Sequence, residues 1–194
     1  MSTLYLVRHG LRVSRDEDTV LSPVGIKQAE LTGQYLKSKT IDHIFVSPMK
    51  RTLQTAEIIN RHLKASQSSD IRLKERMEYE PRLGTFETFL KEWDKTMVDR
   101  TYQPPYGDSA LKAGNRITSL FEELNIDKNY LFISHGGVIG DVIRNLFPDT
   151  AASLTTDPLK NLQWLNISEC SITEIQKVTG LYSLKRVSDI SHLA

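Results

Sequence analysis

Two short apolar runs, each ending in a histidine followed by glycine, constrain this chain more than any other feature. Near the N-terminus Leu4-Tyr5-Leu6-Val7 leads straight into Arg8-His9-Gly10; later, Tyr130-Leu131-Phe132-Ile133-Ser134 leads into His135-Gly136-Gly137. Apolar runs this short read as buried strands. A glycine after a strand lets the backbone turn sharply and lets a ligand approach. Arg8, His9 and His135 are therefore expected at the carboxyl ends of strands, where open α/β sheets bind ligands.

The segments between alternate in the same sense. Residues 11–20 read as a polar loop. Ser22-Pro23 reads as a helix start, with the serine as N-cap and proline in the first turn; Ile26, Ala29, Gly33 and Leu36 recur at helical spacing. Residues 42–46 read as a second strand. Ser47-Pro48 repeats the cap-and-proline pattern and opens a helix reaching about Leu63, with Arg51 in its first turn and Thr52, Ala56, Ile59 and Leu63 on one face. Residues 65–70 read as a polar connection and residues 71–73 as a third strand. Residues 84–100 carry Phe86, Phe89, Leu90, Trp93 and Met97 at helical intervals, an aromatic stripe that reads as core before pocket. Prolines 104 and 105 exclude regular structure from 102–107. Asp108 or Ser109 caps a helix with Ala113, Ile117, Leu120 and Leu124 inward, residues 137–147 form another, and 165–175 pairs with 181–187 as a hairpin. This alternation predicts one domain over residues 1–194: a three-layer α/β/α sandwich on a mainly parallel sheet, with an insertion at about 76–107 over the ligand site.

Composition narrows the function. A formal charge of +1 gives no reason to expect nucleic acid or an anionic membrane as partner. Hydrophobic residues at 39% and charged residues at 25% suit a soluble globular protein. The single cysteine, Cys170, excludes an internal disulfide framework; it reads as a buried structural thiol in a strand. No signal segment and no membrane-length apolar run is evident, so a cytoplasmic location is expected. Homo-oligomerisation is left open.

If the loops bearing Arg8, His9, Arg51, Glu75 and His135 converge, they make a phosphate site. Guanidiniums bind phosphate oxygens bidentately. Backbone N–H groups of Gly136 and Gly137 at a helix N-terminus favour an anion. Neighbouring cations oppose protonation of His9 and keep it nucleophilic, while His135 is a candidate donor to phosphoryl oxygens. Glu75, with Glu78 in reserve, is the candidate acid and base at the leaving oxygen. Arg12 offers a further phosphate contact or is simply a solvated partner of the adjacent acids, as is Arg15. Ser22 and Ser47 read as caps rather than ligands. Neither metal nor cofactor is required.

Leu-Val-Arg8-His9-Gly10 resembles the signature of the histidine phosphatase superfamily, whose fold is that of phosphoglycerate mutase. The blocks Leu21 to Ala29, Ser47 to Ala56, Leu73-Lys74-Glu75 and Ser134 to Ile139 follow in the family's order and spacing, so the resemblance covers nearly the whole chain. It implies a six-stranded sheet with one antiparallel strand. It also implies a phosphorylated His9, a phosphoryl group held by Arg8, Arg51 and His135, and Glu75 as general acid and base. Leu11 and Arg12 replace the family's usual Glu-Thr, Arg15 stands near where an asparagine is usual, and Glu78-Tyr79-Glu80-Pro81 replaces Gly-x-Trp-Glu-Gly. The expected function is hydrolysis of a small phosphorylated metabolite without metal. A mutase and a catalytically silent phospho-ligand-binding relative are the alternatives. Specificity is expected in residues 84–107.

Overall fold

The computed structural model describes residues 1–14, 18–153 and 165–194; Arg15 lies outside them. Its elements in chain order are β1 (Ser2–Arg8), α1 (Pro23–Leu36), β2 (His43–Val46), α2 (Lys50–Leu63), β3 (Ser66–Ser69), α3 (Phe86–Val98), α4 (Ala110–Glu122), β4 (Tyr130–Ser134), α5 (Gly136–Leu146), α6 (Pro148–Ser153), β5 (Ile172–Val178) and β6 (Leu181–Asp189). The sheet runs β3-β2-β4-β1-β5-β6. β1 to β4 are mutually parallel, and β5 alone runs against both its neighbours. This is the six-stranded mixed sheet the sequence predicts.

The two central strands are apolar without interruption because both their faces are covered. Leu4, Leu6, Tyr130 and Phe132 point to one side and pack with Ala113, Ile117 and Phe121 of α4 and Val138, Ile139 and Val142 of α5. Tyr5, Val7, Leu131 and Ile133 point to the other and pack with Leu36 of α1 and Ala56 and Ile59 of α2. A fully buried leucine or isoleucine stabilises the fold by about 1.5–3 kcal/mol, so the strands that carry the site are also the most firmly held.

Several local readings are corrected. The third strand is Ser66–Ser69, and Ile71–Leu73 is a 3₁₀ turn. All four strand residues are exposed, so this edge has no apolar pattern to betray it; its ladder to β2 and the hydroxyls of Ser66 and Ser68 on the His43 ring hold it. Ser22 does cap α1, accepting from Gly25 N–H, but the buried face there is Gly25, Ala29, Thr32, Gly33 and Leu36, with Ile26 exposed. α2 begins at Lys50 with no side-chain cap, and Ser47 faces elsewhere. In the final hairpin, β5 begins only at Ile172. Cys170 is buried, but in the turn before β5 with φ 53°, and burial pushes its thiol up to about 12, which leaves it inert.

Candidate active site

Parallel register brings the two histidines together. Arg8 pairs with Ser134, and His9 N–H donates to the Ser134 carbonyl at 3.0 Å, so the residues that follow each strand emerge side by side. The imidazoles of His9 and His135 lie 5.3 Å apart, edge to face at 65°. Both are almost wholly buried, at 5% and 1% exposure. Gly10 allows this by close approach. A Cβ there would stand 2.5 Å from the carbonyl oxygen of Gly25, and one on Gly25 would stand 2.1 Å from that of Leu11, so the loop lies directly on the first turn of α1.

Hydrogen bonds fix both tautomers. His9 Nδ1 lies 2.8 Å from the Gly10 carbonyl oxygen. A carbonyl only accepts, so Nδ1 carries the proton and Nε2 keeps its lone pair. Arg51 Nη2 donates to His135 Nδ1 at 3.0 Å. A guanidinium only donates, so the neutral ring holds its proton on Nε2 and gives it to Ser47 Oγ at 2.8 Å. Both rings are driven well below the ordinary imidazole pKa. Burial is the main cause for each; Arg51 and then Arg8 add to it at His9, and Arg51, His9 and Arg8 at His135.

Three arginines close round them. Arg51, buried in the first turn of α2, donates to Glu78 and His135 through Nη2, while its Nε and Nη1 are buried without a hydrogen-bond partner; Asp18 stands 3.6 Å from Nη1. Arg8 is oriented by the Ile167 carbonyl and Glu169, each at 2.6 Å, and its Nε is buried and unpartnered. Arg12 is half-buried, its charge opposed first by burial and then by Arg51, and its Nη1 is unpartnered. Its charge feels Arg51, Glu78, Arg8 and Glu75. Buried guanidinium donors without acceptors call for an oxyanion.

The carboxylates differ in setting. Glu75 crosses the start of α5: Oε1 accepts from Arg76 and Val138 N–H at 3.0 and 2.9 Å, and Oε2 from Gly137 N–H at 2.9 Å. The Gly137 amide expected to hold an anion is thus given to Glu75. Glu78 contacts Arg51, and burial, then Arg51's opposing pull and Glu75's repulsion, leave its carboxyl raised. Residues 76–107 put α3 over this end of the sheet: Trp93 and Met97 pack with Met77, Phe89 and Tyr106, as a core stripe should, while Leu90 is exposed.

The geometry therefore gathers His9, His135, Arg8, Arg51, Arg12, Glu75 and Gly136. Sequence reasoning missed Ser47, Asp18 and Glu169. Ser47 had a usable signal, since it follows β2 as His9 follows β1, and its N–H bonds the Ile133 carbonyl of β4.

Comparison with known proteins agrees with the fold. The pattern of the Histidine phosphatase superfamily (branch 1) matches residues 4–190. A Proteus mirabilis protein named probable phosphoglycerate mutase GpmB is 28% identical over 213 residues, covering 100% of this chain and 95% of the relative. Bacillus stearothermophilus YhfR superposes with a TM-score of 0.76 at 23% identity, covering 100% of both chains. A mycobacterial glucosyl-3-phosphoglycerate phosphatase, solved with inorganic phosphate, gives 0.74 at 20% identity over 99% of each.

Proposed function

Because the chain belongs to the histidine phosphatase superfamily, we propose that it hydrolyses a small phosphomonoester through a phosphohistidine at His9. The observation that carries this reading is the bond from Nδ1 to the Gly10 carbonyl, which leaves Nε2 as the unprotonated nitrogen among guanidiniums. Nε2 attacks phosphorus as the ester P–O bond breaks. The leaving oxygen takes a proton from a carboxylic acid. Water then attacks phosphorus, the P–N bond breaks, the carboxylate takes the water's proton, and phosphate departs with the Nε2 lone pair restored. Arg8, Arg51 and Arg12 neutralise the phosphoryl oxygens; one such preorganised donor is worth about 3–4 kcal/mol of barrier. His135 works by aligning Arg51, since both its nitrogens are already held by Ser47 and Arg51.

Glu75 takes the acid's place by resemblance, and Oε2, with a single N–H on it, is the oxygen free to hold a proton. Glu78 is the second reading, supported by its raised carboxyl beside Arg51. Leaving-group dependence separates them. An alkyl ester needs the proton and a nitrophenyl ester barely does. The true acid is the one whose Gln variant loses more activity on the alkyl than on the aryl ester.

The test of the whole reading is nitrophenyl phosphate turnover with acid-labile, alkali-stable phosphate trapped on the protein. His9→Ala is expected to lower the rate by about a thousandfold or more and remove the label; undiminished turnover would overturn the nucleophile. Hydrolysis is preferred to mutase chemistry. Phosphate release against isomerised product, with and without a bisphosphate primer, decides between them.

A further inference from the structure

A guanidinium grips an oxyanion with two parallel bonds either through Nε and Nη2 or through Nη1 and Nη2, and both forks use a hydrogen of Nη2. In Arg51 both Nη2 hydrogens are engaged. One goes to His135 Nδ1 at 3.0 Å, the other to a carboxylate oxygen of Glu78. Nε and Nη1 are buried without a hydrogen-bond partner. A phosphoryl group therefore takes either fork only when His135 or Glu78 gives up its hydrogen. We propose that Glu78 is the one that yields: it is an exchangeable ligand of Arg51, a carboxylate that leaves the guanidinium as the phosphoryl group binds and returns to it as phosphate departs. The inference rests on the reading of Arg51 as a phosphoryl-binding residue, and it leaves the part of the acid to Glu75.

The two partners of Nη2 are held very differently. His135 is 1% exposed, and its other nitrogen donates to the buried Ser47 hydroxyl, so the ring is fixed from both sides. Glu78 has no second anchor of that kind: among the described residues, Arg51 is its one hydrogen-bond partner. Its side chain is 20% exposed, against 2% for Arg51. Solvent is thus open to the carboxylate and closed to the guanidinium.

Charge and backbone agree with this. Burial opposes the charge on Glu78 and Glu75 repels it, while Arg51 and Arg12 hold it; a phosphoryl dianion among the same arginines adds to the repulsion. The chain on either side need not move. Residues 74–80 lie between 3₁₀ turns at Ile71–Leu73 and Pro81–Leu83, outside any helix or strand, and Arg76 and Met77 anchor them by burial. Rotation of the Glu78 side chain alone completes the exchange, a fast motion for a side chain that reaches solvent. The effect is that phosphate, the product, is held less tightly than the guanidiniums would otherwise hold it.

The probe is sulfate, which stays doubly charged near neutral pH and is not turned over, titrated by calorimetry into the wild type, Glu78→Gln and Glu78→Asp. Glu78→Gln removes the rival charge and should bind sulfate about tenfold more tightly. Glu78→Asp keeps the charge but draws it back from Arg51 by one methylene, and should gain at least about threefold. Replacing a carboxylate with a merely structural role would leave the affinity unchanged or weaken it; either result in the glutamine variant would overturn the exchange and leave the oxyanion site standing. A gain in the glutamine variant without one in the aspartate would reduce the effect to charge alone and overturn the exchange equally. Sulfate binding to none of the proteins would overturn the oxyanion site itself, and this inference with it.

Discussion

At the scale of the residue, one hydroxyl decides where an imidazole points. Ser47 Oγ accepts the Nε2 proton of His135 at 2.8 Å in a fully buried setting. Ser47→Ala leaves that N–H unmatched, which costs about 1–3 kcal/mol of stability. It is also expected to lower kcat about tenfold with KM little changed, as thermal melts and steady-state kinetics will show; an unaltered kcat would mean the bond is merely structural. The histidines and Arg8 could be read from the sequence because an apolar run followed by a cation or imidazole and a glycine is a local pattern. Ser47 was masked by a second meaning, since Ser-Pro is also how helices begin. Glu169 gave no signal at all. Its role depends on a turn that brings residue 167 onto Arg8 across 159 positions of chain, and no local spacing encodes that.

Among the elements, α5 is where fold and chemistry meet. Its first free amides are capped by Glu75, a carboxylate from another segment, in place of any cap of its own. Gly137 makes the junction close. A Cβ there would lie 2.5 Å from Glu75 Oε1 and 2.5 Å from Trp93. Gly137→Ala should therefore push Glu75 off the helix and lower alkyl-ester hydrolysis by at least about tenfold, while far-ultraviolet dichroism keeps its native shape. Full activity would show the carboxylate indifferent to its anchor. The helices and the buried strands were legible because their apolar periods follow directly from what they cover. β3 was not, since an exposed edge has no face to bury and polar side chains there discourage pairing with another sheet.

For the whole molecule, two neutral imidazoles packed inside guanidiniums tie stability to pH. Both folded values lie well below the ordinary 6.5. The unfolded chain then binds the extra protons first, so their stabilisation is complete above about pH 6.5 and drains away as pH falls. Asp141 works in the opposite sense. Its carboxyl, raised by burial to about 6, favours the fold as pH drops below that value. The histidine contribution is isolated by difference: urea melts between pH 7.5 and 5 should show a shallower acid loss in His9→Ala than in the wild type, and equal slopes would contradict the buried neutral ring. The bonds from Ile167 and Glu169 to Arg8 carry a different consequence. A growing polypeptide makes His9 and Arg8 together, yet the cation is untethered until a segment 159 positions further along has been made. Competence thus arrives late and at a stroke, and no amino-terminal fragment should inherit a share of it.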